Sequence, residues 1–215
     1  MNHAFGDDTL NSEYLGDALD HWKGSLISIL VSKQLLRSIV VEPMITDPQP
    51  WQPEDIQTYR RLLGLEEIFH AESTFPGGRR KDYFNEVPKD DDIFLDPDTG
   101  IAMDRAIKKH IAVPELIKLL GESDSDRVFM VYQHSGQRES KQEGQTNSKF
   151  KRWLLAMKDK LTDKDKLPAN VDVHCTVYEC KQVAMFFISR NRNRIDEIKD
   201  VLQECLKGKA QRRVW

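Results

Sequence analysis

The chain has 215 residues, of which 39% are hydrophobic and 31% are charged, and its formal net charge is -3. This composition suffices for one globular domain, which we expect to span residues 1–215 with flexible tails at 1–12 and 208–215. It excludes a strongly basic protein that coats nucleic acid. No apolar run reaches the roughly 18–20 residues of a membrane span, and the polar N-terminus does not resemble a signal peptide. Three cysteines without a CxxC pair predict neither a disulfide framework nor a zinc site, so we expect a cytoplasmic protein with no membrane partner.

Apolar patterning predicts helices alternating with strands. Apolar residues recur at helical spacing from Tyr14 to Ser32, with Asn11 or Ser12 as the N-cap, and Pro53 begins a second helix. Short β-branched runs between the helices predict buried strands. In chain order we predict a helix at 14–32, a strand at 38–45, a helix at 53–63, a loop at 75–81, a strand at 92–95, a helix at 113–120, a strand at 127–132, a polar segment at 135–148, a helix at 150–161, a hairpin of strands at 171–179 and 182–189, and a helix at 195–206.

This order of elements predicts an α/β fold with a Rossmann-like, mostly parallel sheet. The C-terminal hairpin adds an antiparallel edge, and a terminal helix follows it. In such sheets ligands bind outside the carboxyl ends of the strands. The residues that follow Ile45, Leu95 and Tyr132 are therefore the first place to look for chemistry.

The strongest chemical signal is the segment Asp96-Pro-Asp-Thr-Gly100, which follows a predicted buried strand. Pro97 and Gly100 favour a fixed, tight turn, so Asp96 and Asp98 would be held in place. Crowded carboxylates can split into an acid and a base, or bind a divalent cation through oxygen. The alternative is an Asx-turn with no chemical role.

A second signal is Tyr132-Gln133-His134 at the end of the third predicted strand, with Arg138 four residues later. His134 suits proton transfer near neutral pH, and Gln133 can hydrogen-bond a base edge or a water molecule. The alternative for His134 is a solvent-facing loop residue. The histidines with no comparable setting, predicted to be structural or exposed, are His21, His70, His110 and His174.

Charged residues elsewhere allow two interpretations. Asp20 and Lys23, three positions apart on the first helix, are compatible with a surface ion pair. Glu42 lies inside a predicted buried strand and therefore needs a partner or a function. Basic clusters such as Arg79 and Arg80 are either solvated faces or parts of one groove that follows phosphates. The chain contains no GxGxxG, Walker, GxSxG or HExxH motif.

Three motifs together resemble a set of uncharacterised prokaryotic proteins. They are an aromatic-x-Gly-Asp helix with later Asp and Lys, a strand that ends in DPD-x-G, and a YQH followed by Arg. The residues that carry them are Tyr14, Gly16, Asp17, Asp20 and Lys23; Asp96, Pro97, Asp98 and Gly100; and Tyr132, Gln133, His134 and Arg138.

The element order also resembles the class I methyltransferase that modifies an adenine of large-subunit ribosomal RNA. That resemblance implies the scaffold and a nucleobase or nucleic-acid substrate. Where the family has a glycine-rich cofactor loop, this chain has Pro43-Met-Ile-Thr-Asp47, and where it has DPPY this chain has Asp96-Pro-Asp-Thr. The second acid favours hydrolysis over methylation.

The sequence thus predicts a hydrolase that acts on nucleic acid, DNA rather than RNA, with base excision favoured over nuclease activity. A defence role is compatible with this chemistry. The alternatives are an S-adenosylmethionine-dependent methyltransferase with an atypical loop and an inactive binding module. We expect no cofactor, with Mg²⁺ only if the enzyme is a nuclease, and no dedicated metal ligands; the oligomeric state stays open. The predicted catalytic residues are Asp96, Asp98 and His134, and the predicted substrate-binding residues are Tyr14, Asp17, Lys23, Glu42, Arg79, Arg80, Gln133 and Arg138.

Overall fold

The computed structural model describes residues 15–46, 51–76, 78–104, 109–123, 126–134, 149–161, 172–180, 183–205 and 212–215. Helices and strands alternate along these residues. The helices are α1 (Ala18–Ser32), α2 (Pro53–Leu63), α3 (Arg80–Glu86), α4 (Val113–Gly121), α5 (Lys149–Leu161) and α6 (Arg192–Cys205). The strands are β1 (Ile39–Glu42), β2 (Asp92–Leu95), β3 (Gly100–Ala102), β4 (His110–Ala112), β5 (Val128–His134), β6 (His174–Cys180), β7 (Val183–Ser189) and β8 (Arg212–Val214).

The main sheet is mixed, with the strand order β1-β2-β5-β7-β6-β8. β1, β2 and β5 pair in parallel, as the sequence predicts. β7 is antiparallel to both of its neighbours, β5 and β6, so β6 runs in the same direction as β5. The hairpin was predicted at the edge of the sheet, and this is wrong: β7 lies inside the sheet, and β8 forms the edge beyond β6.

Helices cover both faces of this sheet because successive strand residues point to opposite sides. Ile93 and Leu95 belong to one buried cluster with residues of α4 and α5, while Phe94 belongs to the other, with residues of α1, α2 and α6. Burying each such side chain stabilises the folded state by roughly 1.5–3 kcal/mol. The fold is therefore α/β, as predicted, with the carboxyl ends of the parallel strands left at one edge of the layers.

The start of α1 differs from the prediction. The helix begins at Ala18 rather than at residue 14, because the side chain of Asp17 accepts hydrogen bonds from the N–H groups of Leu19 and Asp20. Farther along α1, Gly24 lies against the end of α2, where an added Cβ would be only 1.9 Å from the carbonyl oxygen of Leu62. Glycine at this position lets the two helices approach closely enough to share a polar network.

Other element boundaries also differ. The predicted strand 38–45 ends at Glu42, and the following residues are buried loop, with Met44 in a left-handed conformation at φ 50°. α3 begins at Arg80, inside the segment predicted as a loop. The predicted tail 208–215 includes β8, which pairs with β6. Residues 1–12 and 135–148 lie outside the described residues. No helix among the described residues is long and apolar enough to cross a membrane.

Candidate active site

The carboxyl ends of β1 and β2 bring two buried acids together. Glu42 is the last residue of β1, and Asp96 directly follows β2. The backbone N–H of Asp96 donates a hydrogen bond to the carbonyl oxygen of Glu42 at 3.0 Å. Glu42 is fully buried, and Asp96 is 1% exposed. Because a buried carboxylate is costly without partners, each acid lies at the centre of its own polar network.

The Asp96 network consists of Asp96, Lys23, Asp20 and Tyr59. Lys23 Nζ lies 2.7 Å from Asp96 Oδ2 and 3.1 Å from Asp20 Oδ1. The Tyr59 hydroxyl also donates to Asp96 Oδ2. The alternative of a surface ion pair between Asp20 and Lys23 is excluded, since both residues are buried. The network ties α1 and α2 to the end of β2.

Burial and charge shift the pKa values of this network in opposite directions. Burial raises the pKa of the Asp96 carboxyl, and the adjacent Lys23 ammonium reduces this shift without reversing it. Burial lowers the pKa of Lys23, but the carboxylates of Asp96 and Asp20 raise it by more. Burial and the charge of Asp96 raise the pKa of the Tyr59 hydroxyl well above its usual value. At neutral pH, Lys23 therefore stays charged and Tyr59 remains a hydrogen-bond donor.

Three buried polar atoms around this network have no hydrogen-bond partner among the described residues: Asp96 Oδ1, Trp51 Nε1 and Trp22 Nε1. Trp51 packs edge-on against Tyr59, with ring centroids 5.1 Å apart. Trp22 packs against Tyr132, whose ring lies 4.5 Å from Lys23 Nζ. A buried unpaired polar group costs about 1–3 kcal/mol. One acceptor and two indole donors thus lack hydrogen-bond partners within the described part of the chain.

The Glu42 network consists of Glu42, His70, Tyr83 and Glu86. His70 Nδ1 lies 2.7 Å from Glu42 Oε2, and the Tyr83 hydroxyl and the backbone N–H of Met44 donate to Glu42 Oε1. On the other side of the imidazole, Nε2 lies 3.2 Å from Glu86 Oε2. The His70 ring also stacks on Tyr83, at 4.0 Å between centroids. A buried carboxylate therefore orients the histidine through one ring nitrogen.

The balance of burial and charge also sets the protonation of this second network. Burial raises the pKa of Glu42, against the hydrogen bonds from His70 and Tyr83. Burial lowers the pKa of His70, but the hydrogen bonds and charges of Glu42 and Glu86 raise it by more. The imidazole is consequently biased towards its charged form.

A cleft of about 740 Å³ adjoins the Glu42 network. Trp51 and the first two turns of α2 form one wall, and residues 68–73 form the other. His70 lines this cleft, whereas Asp96 and Asp98 do not belong to its lining. The cleft and the Asp96 network meet at Trp51, which contacts both.

The predicted aspartate pair does not share one set of contacts. Asp96 binds Lys23 and Tyr59, whereas Asp98 Oδ2 accepts a hydrogen bond from the Thr46 hydroxyl. Asp98 is half-buried, and the groups with the largest effects on the pKa of Asp96 are Lys23, Tyr59 and Asp20. Burial and Lys23 have the largest effects on the pKa of Asp96, and a split of pKa values by crowding between the two acids stays a prediction.

The amide of Gln133 is occupied by backbone groups. Its Oε1 accepts from the N–H of Ile101 at 2.7 Å, and its Nε2 donates to the carbonyl oxygens of Thr99 and His134 at 2.9 and 2.6 Å. Gly100 leaves room for this side chain, since an added Cβ would lie 2.4 Å from Gln133 Cδ. Gln133 thus fixes the turn after Asp98 instead of reading a base edge, which corrects its predicted role.

Two arginines of the predicted basic clusters, Arg80 and Arg194, have internal contacts. Arg80 forms two hydrogen bonds with Glu115 at 2.6 Å each and a third with the carbonyl oxygen of His110, so its predicted role in substrate binding is replaced by a structural one. Arg79 precedes α3 and is exposed. Arg194 contacts Leu35 and Asp92 at the opposite edge of the sheet. These arginines therefore do not line one groove.

The remaining predicted residues fall in four groups. Asp17 caps α1 with its carboxylate, which accounts for that side chain structurally. His134 ends β5 and is half-buried, next to the turn that Gln133 holds. Tyr14 and Arg138 lie outside the described residues. Glu42 was expected to need a partner, and His70 and Tyr83 are its partners.

The sequence prediction missed Tyr59 and His70, which belong to the two networks. Their partners are far apart in the chain, and only Glu42 gave a signal, as a charge in an apolar run. No protein-family model, curated protein or solved structure matches the chain. Within the described ranges, no three His, Cys, Asp or Glu side chains are grouped as a metal ion would need.

Proposed function

We propose that the protein is a hydrolase that removes a base, ordinary or modified, from nucleic acid, with DNA preferred to RNA. The observation that carries this proposal is Asp96: a carboxylate fixed by Lys23 and Tyr59, with its second oxygen, Oδ1, buried and unpaired. It lies at the carboxyl end of a parallel strand, where ligands bind in α/β folds.

The chemistry follows from this geometry. Asp96 Oδ1 accepts a hydrogen bond from a water molecule and stabilises positive charge that develops on the sugar. As the bond between the sugar and the base breaks, its electron pair leaves with the base. The water oxygen bonds to the sugar carbon, and its proton passes to the carboxylate. Lys23 and Tyr59 hold the carboxylate in one orientation, and Asp98 and His134 supply further acid–base groups at neighbouring strand ends.

The sheet supports the proposed scaffold. β7 lies antiparallel between β5 and β6, and α6 follows it. This order is compatible with the closing hairpin and helix that the methyltransferase resemblance implies. We include a Rossmann-like, methyltransferase-like fold and a cytoplasmic location in the proposal. The proposal leaves out the methyl donor, because residues 43–46 contain no glycine and are all buried. Base removal needs no cofactor; Mg²⁺ would take part only if the enzyme cut the backbone.

The test compares Asp96→Asn and Asp98→Asn with the exposed control Asp200→Asn on α6. Each purified variant is incubated with plain and modified DNA and RNA duplexes, with and without EDTA, and products are separated before and after alkali. We expect alkali-labile abasic sites that persist in EDTA, and a rate lowered by about 10²–10⁴-fold in at least one of the two variants. Full activity in both variants would refute the assignment, and backbone cuts that EDTA abolishes would indicate a nuclease.

A further inference from the structure

The cleft beside the Glu42 network has the size and lining of a site for a planar heteroaromatic ring. Its volume of about 740 Å³ lies within the range of about 300–1,000 Å³ that is typical of small-molecule sites. Trp51 and Ile56 contribute apolar surface, and Gln57 contributes amide groups that both donate and accept hydrogen bonds. A planar ring that packs against Trp51 and Ile56 while its edge meets the polar lining has the chemistry of a nucleobase.

His70 is the group in this lining that can exchange a proton. Glu42, which is fully buried, fixes the ring through Nδ1. Nε2 faces Glu86, whose side chain is 67% exposed and therefore free to yield its place to another acceptor. A hydrogen-bond acceptor on a bound ring can thus take the position that the Glu86 carboxylate holds next to Nε2.

We infer that this cleft binds a nucleobase extruded from nucleic acid and that His70 is the catalytic acid that protonates the base as it leaves. The inference rests on the proposed function and names the acid that it requires. Trp51 connects the cleft with the Asp96 network, because it lines the cleft and packs against Tyr59, which holds Asp96.

One network gives a proton in this reaction, and the other takes one. When the bond between sugar and base breaks, the electron pair remains on the base, which takes the proton from His70 Nε2. The attacking water bonds to the sugar carbon and gives its proton to Asp96. Solvent then returns one proton to His70 and removes one from Asp96, so that the net reaction consumes one water molecule.

The charged groups around His70 determine how the reaction depends on pH. Glu42 faces it from β1, Tyr83 and Glu86 face it from α3, and Arg60 and Glu72 line the same cleft. The two carboxylates in contact with the ring favour the imidazolium. The rate of base release should therefore decrease at alkaline pH, where His70 loses its proton. In the variant His70→Gln, this decrease at alkaline pH should be absent from the pH–rate profile.

Binding can be tested without turnover. The free bases adenine, guanine, cytosine and thymine are titrated into wild type, Gln57→Ala, His70→Gln and the exposed control His21→Gln, with calorimetry or saturation-transfer NMR as the readout. We expect at least one base to bind the wild type and His21→Gln equally, and Gln57→Ala and His70→Gln at least tenfold more weakly. Absence of binding at 10 mM base, or equal binding by all four proteins, would overturn the inference.

Turnover separates this inference from the proposed function. If bases bind in the cleft but no substrate loses a base, the proposed function fails and the binding site stands. If the wild type releases a base and His70→Gln does so at the same rate, with its alkaline limb intact, the catalytic role of His70 fails. Should His70→Gln not fold, as judged by circular dichroism, the exposed variant Gln57→Ala and the pH profile of the wild type decide the question.

Discussion

Replacing Lys23 by methionine should destabilise the protein strongly, because the lysine neutralises two buried carboxylates. At an effective dielectric constant of about 20, unit charges 2.7 Å apart attract by about 6 kcal/mol, and most of this offsets the desolvation of the pair. Lys23→Met removes the attraction and leaves Asp96 desolvated. Breaking a buried ion pair in this way costs about 3–5 kcal/mol.

The loss should depend on pH in a defined direction. Without Lys23, burial and the charge of Asp20 raise the pKa of Asp96 against only the hydrogen bond from Tyr59, so this pKa is higher in the folded variant than in the unfolded chain. The folded variant then binds more protons than the unfolded one, so its free energy of unfolding falls as pH rises through the folded pKa. Lys23→Met should therefore be closest to wild type at low pH and most destabilised at neutral pH.

Urea denaturation followed by circular dichroism at several pH values measures this effect. Lys33→Met, at the exposed end of the same helix, is the matched control and should change stability by no more than about 0.5 kcal/mol. The double variant Lys23→Met/Asp96→Asn should recover part of the loss, because the uncompensated charge is gone. A cost below about 1 kcal/mol, or one that is equal at all pH values, would refute our account of the Asp96 network.

Four further outcomes follow from the structure. Gly24→Ala should cost at least about 1–3 kcal/mol in thermal denaturation, because its methyl group meets the carbonyl oxygen of Leu62, whereas exposed Ser25→Ala should not. In urea denaturation, the wild type should have a higher free energy of unfolding than His70→Gln below the usual histidine pKa of about 6.5. This difference should disappear as pH rises through the raised pKa of folded His70. Calorimetry should detect no S-adenosylmethionine binding tighter than roughly 1 mM; a micromolar isotherm would favour the methyltransferase instead. Nucleic-acid affinity should fall with salt by about 0.9 log unit per decade for each duplex phosphate neutralised, and a flat response would exclude phosphate contacts.

The elements that could be predicted from sequence are those whose pattern is local. The run IFL before Asp96 predicted β2 with its correct ends, and Pro53 and Gly64 predicted both ends of α2. The β1 segment was predicted too long, because a buried loop and a buried strand have the same apolar composition. The position of β7 was missed since pairing between β5 and β7 depends on distant contacts and not on local pattern.

Only the part of the site that depends on local pattern could be predicted. Asp96 was found because the end of a strand in an α/β fold is a general location for ligands. Its contacts with Lys23 and Tyr59 were not predicted, because these residues are separated from it by 73 and 37 positions. His70 resembled an ordinary histidine in sequence, and only its approach to Glu42 in three dimensions gives it a distinct chemistry.

The position of β7 also affects how the chain folds during synthesis. The parallel strands β1, β2 and β5 leave the ribosome first, and the free edge of β5 stays unpaired until Val183–Ser189 emerges and aligns with it. An apolar strand edge exposed for that interval is open to pairing with other chains. Nascent chains halted before β7 should therefore aggregate or recruit chaperones, while chains released after β7 should have this edge covered.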